Sequence, residues 1–219
     1  MALKNHIVIM SKFPRLGEVK TRLIPALGAE QAMDLHKRMS QHRVAHVREF
    51  SKSRNDVSYS IHIANGTLEE ASHWLGPNQF FLQQGDDLGQ RMEYAVRQGF
   101  EGGAARVMVV GTDCPALSES EFTKTLLELD DHDVVYVPAV DGGYVMVGFS
   151  GEYYQVFSGI VWGADTVMKE SLDRARATKL NYKLLDPLAD VDRIEDVENA
   201  ELAMRESDID HSHYTTKNT

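Results

Sequence analysis

Apolar positions along this chain follow two alternating periods. Ile7, Val8, Ile9 and Met10 form a short continuous run that breaks at Ser11-Lys12-Phe13-Pro14. A run of that length bounded by a turn signal predicts a buried strand over residues 6–10. Pro14 and Gly17 then mark residues 11–20 as a loop. Met33, Leu35, Met39, Val44, Val47 and Phe50 carry helical spacing over residues 29–50. Val57, Tyr59, Ile61 and Ile63 alternate, predicting a strand over 57–64. A short helix over 68–75, ended by Gly76-Pro77, and a short strand over 79–83 follow. The remaining pattern predicts helices over 86–100, 118–129, 164–177 and 194–205, and strands over 106–110, 134–137, 144–149 and 179–185. Ser118 and Glu121 form a capping box at the start of the second of these helices. Residues 207–219 are polar and aperiodic, and are expected to be a disordered tail.

Strands that alternate with helices almost throughout imply a single α/β domain over residues 1–206, a mostly parallel sheet with helices on both faces. In such a sheet, ligands bind beyond the carboxyl ends of the strands. The loops after Met10, Gln83, Val110 and Leu185 should therefore open on one edge, and those loops hold the unusual residues.

Composition narrows the function classes. The chain of 219 residues is 42% hydrophobic and 26% charged, enough for a real core in one domain. Its longest apolar runs are strand-sized, which argues against a membrane span, and residues 1–10 lack the pattern of a secretory signal. The one cysteine, Cys114, excludes an intramolecular disulfide and a thiolate zinc site, and fits a reducing cytoplasm. A net charge of −10 argues against nucleic acid as a partner. An anionic substrate would need a local basic pocket or a metal ion.

The sequence offers both. Lys12-Phe13-Pro14-Arg15-Leu16-Gly17-Glu18-Val19-Lys20-Thr21-Arg22-Leu23 crowds four cations into the loop after the first strand. Lysine and arginine there could grip phosphate oxygens; a solvated basic loop is the plainer alternative. Asp113, in Gly111-Thr112-Asp113-Cys114-Pro115, stands just past a buried strand as a hard oxygen ligand for Mg²⁺ or Mn²⁺, or as a turn cap. Asp141, in Asp141-Gly142-Gly143-Tyr144, reads first as a hairpin turn and second as an acceptor-binding loop. Asp190-Val191-Asp192 could place two oxygens on one ion, although Asp192 could also cap the last helix with Glu195. Asp190 is the better metal candidate. In Gly85-Asp86-Asp87-Leu88-Gly89-Gln90-Arg91-Met92, Gly85 and Arg91 could approach a nucleobase or ribose, against the simpler reading of a helix start. Cys114 lacks an obvious histidine partner and reads as a buried thiol, and Trp162 as packing.

These stretches, taken in order, resemble the DUF2064 family, grouped with GT-A-type nucleotide-diphospho-sugar transferases and more distantly similar to guanylyltransferases. The resemblance spans roughly residues 7–197. It implies a GT-A, Rossmann-like fold with a mixed sheet. It implies a nucleotide held by the first loop, with Lys20 and Arg22 on phosphates, aided by Lys12, Arg15 and Thr112. It further implies a metal on Asp113, with Asp190 or Asp192 as second ligand. The first loop departs from the Gly-Gly start of guanylyltransferases, and Thr-Asp-Cys-Pro replaces the Asp-x-Asp of many glycosyltransferases.

The expected activity is glycosyl transfer from a nucleotide-diphospho-sugar to a small-molecule acceptor, with Lys20, Asp113 and Asp141 as catalytic residues. The alternatives are nucleotidyl transfer from an NTP with release of pyrophosphate, and a nucleotide-binding module without catalysis. The base, sugar, acceptor and oligomeric state do not follow from the sequence; a homo-oligomer stays open.

Overall fold

The centre of the molecule is a strand whose middle residues are sealed from water. In the computed structural model, which describes residues 5–215 and the side chains of residues 5–205, Ile7, Val8 and Ile9 of β1 (Asn5–Lys12) are each 0% exposed. Consecutive side chains of a strand point to opposite faces, so both faces must be covered. The seven strands are β1, β2 (Val57–Ala64), β3 (Phe80–Leu82), β4 (Arg106–Val110), β5 (Val134–Pro138), β6 (Tyr144–Phe149) and β7 (Tyr182–Leu184), in the order β3-β2-β1-β4-β6-β5-β7. β1 pairs in parallel with β2 and β4, β2 with β3, and β5 with β7. β6 runs antiparallel between β4 and β5. The sheet is thus mixed and mostly parallel. β6 is reversed because residues 139–143 are too few for a crossover, which needs about a dozen. The hairpin reading of Asp141-Gly142 holds.

One face packs against α2 (Ala29–Ser53), α3 (Leu68–Leu75) and α5 (Glu119–Glu128) through Val47, Phe50, Leu75 and Phe122. The other packs against α4 (Leu88–Glu101) and α6 (Val167–Ala177) through Met92, Val96 and Ala175. A one-turn α1 (Ile24–Leu27) precedes α2, and α7 (Ile194–Thr215) packs on α2 through Ala200 and Met204. The helix α7 continues through residues 207–215, which the sequence set apart as a tail; residues 216–219 lie outside the described residues. Among the described residues, no helix is long and apolar enough to cross a membrane.

A buried polar pair beside α4 carries a pH signature. The His6 ring bonds to Ser58 Oγ and Ser60 Oγ, both at 2.8 Å, and the His62 ring stacks on Phe81 with centroids 5.0 Å apart. Burial lowers both imidazoles to about 4, and His6 further disfavours a charge on His62. In the unfolded chain both titrate near 6.5. The folded state therefore holds them neutral while the unfolded state takes up protons, so their contribution is full above pH 6.5 and is lost as pH falls toward 4. Melting temperature should decline over that window, and His6→Asn with His62→Gln should flatten the decline. An equal slope in the double variant would remove these histidines as its cause.

Candidate active site

Six of the seven strands run in one direction, so the loops after β1, β4, β5 and β7 emerge on one edge of the sheet. Hydrogen bonds lace these loops together. Lys20 adopts a left-handed conformation, with φ 48°. A non-glycine residue there carries strain that surrounding contacts must offset. Its side chain is only 5% exposed; Nζ lies 3.0 Å from Asp113 Oδ1 and donates to the Val191 carbonyl at 2.6 Å. The Val191 N–H donates to the Asp113 carbonyl at 2.9 Å. Leu188 bonds to the backbone of Pro138 and Val140, which fastens the β5–β6 turn to the segment after β7. Arg22 pairs with Asp192. The first loop, the β4 loop, the hairpin and the Asp190-Val191-Asp192 segment therefore form one unit.

Asp141, Asp190 and Asp192 each bring a carboxylate oxygen within 4.8 Å of the others. Gly142 fixes the turn that carries Asp141. Its φ is +96°, and a Cβ there would stand 2.0 Å from the Asp165 carbonyl oxygen. Only glycine combines that conformation with that approach. Asp141 Oδ1 accepts from the Gly143 N–H at 3.0 Å. Burial, then the charges of Asp141 and Asp192, push the Asp190 carboxyl up to about 6, against the pull of Lys20. Three crowded carboxylates repel one another, and a divalent cation with its preference for hard oxygen donors resolves that conflict. The donor set fits Mg²⁺ or Mn²⁺.

Asp113 sits in a different field. Burial opposes its charge, but Lys20, His36 and Lys12 together hold its pKa below the usual carboxylate value. Its side chain still keeps 52% of its surface open. His36 binds the Lys12 carbonyl at 2.9 Å and is kept from protonation chiefly by burial. Asp113 is thus paired with Lys20, while Asp141 lies beside Asp190 and Asp192.

The other expected residues divide. Lys12 is exposed at the end of β1 and acts electrostatically on Asp113; Thr112 is buried just before it. Arg15 is held elsewhere. Its Nε donates to the Asn65 carbonyl at 2.9 Å, and its guanidinium pairs with Glu70 at 3.0 Å. Gly85 and Arg91 bond to each other, Arg91 Nε donating to the Gly85 carbonyl at 3.0 Å, beyond the edge strand β3. Capping at the start of α7 falls to Asp196, whose carboxylate accepts from the N–H groups of Asp192 and Arg193. That leaves the Asp192 side chain to Arg22 and the cluster. Burial raises the Cys114 thiol to about 11, so it is no nucleophile at neutral pH.

Sequence reasoning missed Arg43. It is 1% exposed within α2, donates to the carbonyls of Cys114 and Leu117 at 2.5 Å each, and lies over the Phe122 ring. Burial lowers its pKa to about 10, which leaves it charged at neutral pH. The available signal was spacing: Arg43 falls one helical repeat after Met39 and before Val47, on the apolar stripe.

A mixed sheet with a cation- and carboxylate-lined carboxyl edge defines a Rossmann-like α/β protein. The chain belongs to the DUF2064 family, described as "Uncharacterized protein conserved in bacteria", whose model matches residues 43–164. The chain is similar to a solved structure described as a "putative nucleotide-diphospho-sugar transferase" from Desulfovibrio desulfuricans G20. Identity is 32%, with a TM-score of 0.79, covering 86% of this chain and 82% of the other. A CMP:2-keto-3-deoxy-manno-octonic acid synthetase complexed with CTP shares the fold at 14% identity and TM-score 0.57, covering 93% of this chain and 99% of that one. A 4-diphosphocytidyl-2C-methyl-D-erythritol synthase from Anaerococcus prevotii DSM 20548 does so at 13% and 0.58, covering 93% and 97%. No curated protein matches the sequence.

Proposed function

We propose that the protein is a divalent-cation-dependent transferase that moves a glycosyl group from a nucleotide-diphospho-sugar to a small-molecule acceptor. The observation that carries this reading is the convergence of Lys20 and Arg22 with Asp113, Asp141, Asp190 and Asp192 at one sheet edge. The description of the 32%-identical relative supports the donor class.

Asp141, Asp190 and Asp192 would hold the cation. When bound, Mg²⁺ or Mn²⁺ supplies positive charge that stabilises a nucleoside diphosphate leaving group. Lys20 and Arg22 are paired with acids. A diphosphate offers them more negative charge than one carboxylate each, so they turn to it and neutralise the charge that develops as the glycosyl bond breaks. Asp113 keeps Lys20 aimed into the site, and becomes a further oxygen donor once Lys20 moves to phosphate. Asp141 is the exposed member of the cluster. Its Oδ1 accepts from the Gly143 N–H, which fixes the carboxylate beside the cation, where it would orient the acceptor hydroxyl.

Nucleotidyl transfer would use the same residues but must hold a triphosphate. Arg15, paired with Glu70 at the surface, would have to leave that pair to help, as Lys20 and Arg22 leave theirs. The deciding experiment incubates the protein and Mn²⁺ with nucleotide sugars, or with NTPs plus sugar phosphates, in the presence of candidate acceptors. Release of UDP or GDP without pyrophosphate is expected. Pyrophosphate from an NTP would replace glycosyl by nucleotidyl transfer. Nucleotide binding without cation dependence or turnover would leave a binding module.

A further inference from the structure

We propose that Arg43 is a positioning residue for this site: its guanidinium sets the turn that presents Asp113 and, through Val191, aligns Asp190 with Asp192. The proposal rests on the reading of those aspartates as the site's acids.

A buried arginine is costly unless its charge is answered. Among the described residues no carboxylate pairs with Arg43. Its partners are two backbone carbonyls, those of Cys114 and Leu117, and both residues are buried themselves. The Leu117 N–H also donates to the Cys114 carbonyl at 3.2 Å, so the two carbonyls belong to one tight turn. Without Arg43 the Leu117 oxygen would lose a buried donor, and the Cys114 oxygen would keep only that longer bond. Apolar side chains of similar volume would fill the space between α2 and α5. They would not fix the spacing of two carbonyl oxygens, which a planar fork with donors on two nitrogens does.

The turn continues directly into the site. The peptide next to the Cys114 carbonyl carries the Asp113 carbonyl, which accepts from the Val191 N–H at 2.9 Å. Val191 lies between Asp190 and Asp192 and is 2% exposed. Its own carbonyl takes the Lys20 ammonium. A shift of the turn therefore moves Asp113, loosens Val191 and disturbs the Asp190–Asp192 pair, with no other covalent neighbour involved.

The test compares Arg43→Lys and Arg43→Gln with wild type as the full chain, by hydrogen exchange and by Mn²⁺ titration. Lysine keeps the charge but offers a point in place of a fork; glutamine keeps a neutral donor. Both should speed amide exchange across residues 111–118 and at Val191, while β1 and β2 stay as protected as in wild type. Mn²⁺ affinity should fall roughly 10- to 100-fold, the usual cost of losing a group that orients a metal ligand, and less in the lysine variant than in the glutamine variant. Wild-type exchange at Val191, or a lowered melting temperature with unchanged Mn²⁺ affinity, would reduce Arg43 to packing and overturn the proposal. If the glutamine variant fails to fold, the lysine variant alone decides. If wild type binds no Mn²⁺, the cation reading falls, and exchange at Val191 still judges Arg43.

Discussion

Asp190→Asn is expected to abolish the thermal stabilisation that Mn²⁺ confers, while leaving the cation-free protein as stable as wild type or more so. Both halves follow from the carboxylate cluster. Burial first, and then the charges of Asp141 and Asp192, push the Asp190 carboxyl up to about 6. An amide of nearly the same shape relieves that repulsion. It also removes one of three anionic oxygens, and losing a charged partner costs about 2–3 kcal/mol, roughly 30- to 150-fold in affinity. A ligand stabilises the native state in proportion to the logarithm of its concentration over its Kd. Melting curves of wild type and variant over a Mn²⁺ series check both halves. An undiminished Mn²⁺ shift in the variant would take Asp190 out of the cation site.

Lys20→Ala is expected to weaken binding of a nucleotide-diphospho-sugar by about 1–3 kcal/mol, roughly 5- to 150-fold. Lys20 is the most buried cation of the first loop, and it reaches both Asp113 and Val191. Its removal deletes a phosphate partner and frees Asp113 from the charge that holds its pKa down. Arg22→Ala should cost less, because that side chain is 66% exposed and surface pairs are screened. Calorimetric titration of the donor in the presence of Mn²⁺ separates the two. Equal affinity in wild type and Lys20→Ala would dismiss the phosphate clamp.

Parts of this site were legible in the linear chain, and particular residues show why. Lys20 and Asp113 stood out because a charge beside a buried strand, flanked by glycine and proline, contributes little to packing. The direction of the strands then brought their loops to one edge. Arg15 looked equivalent to Lys20 by composition. Its neighbours Asn65 and Glu70, some fifty residues away, decide otherwise. Asp141 carried a turn signal, and the hairpin holds; that the same hairpin brings the side chain to the acids after β7 was not legible locally. Asp192 was divided between capping and coordination; Asp196 takes the cap, and the Asp192 side chain pairs with Arg22. Arg43 escaped notice because one cation on a long helix reads as solvated surface.

The order of apolar runs and turn signals determined the α/β class, the near-parallel sheet and the edge on which chemistry gathers, because burial periodicity and the length of the connections between strands are local properties of the chain. Tertiary structure alone decided which acids lie together, which cation each acid holds, and that Arg43 lies beneath the Asp113 turn. The Lys20–Val191, Arg22–Asp192 and Arg43–Cys114 contacts join residues about 70 to 170 positions apart. Their distances depend on how the sheet twists and packs, which no window along the sequence contains.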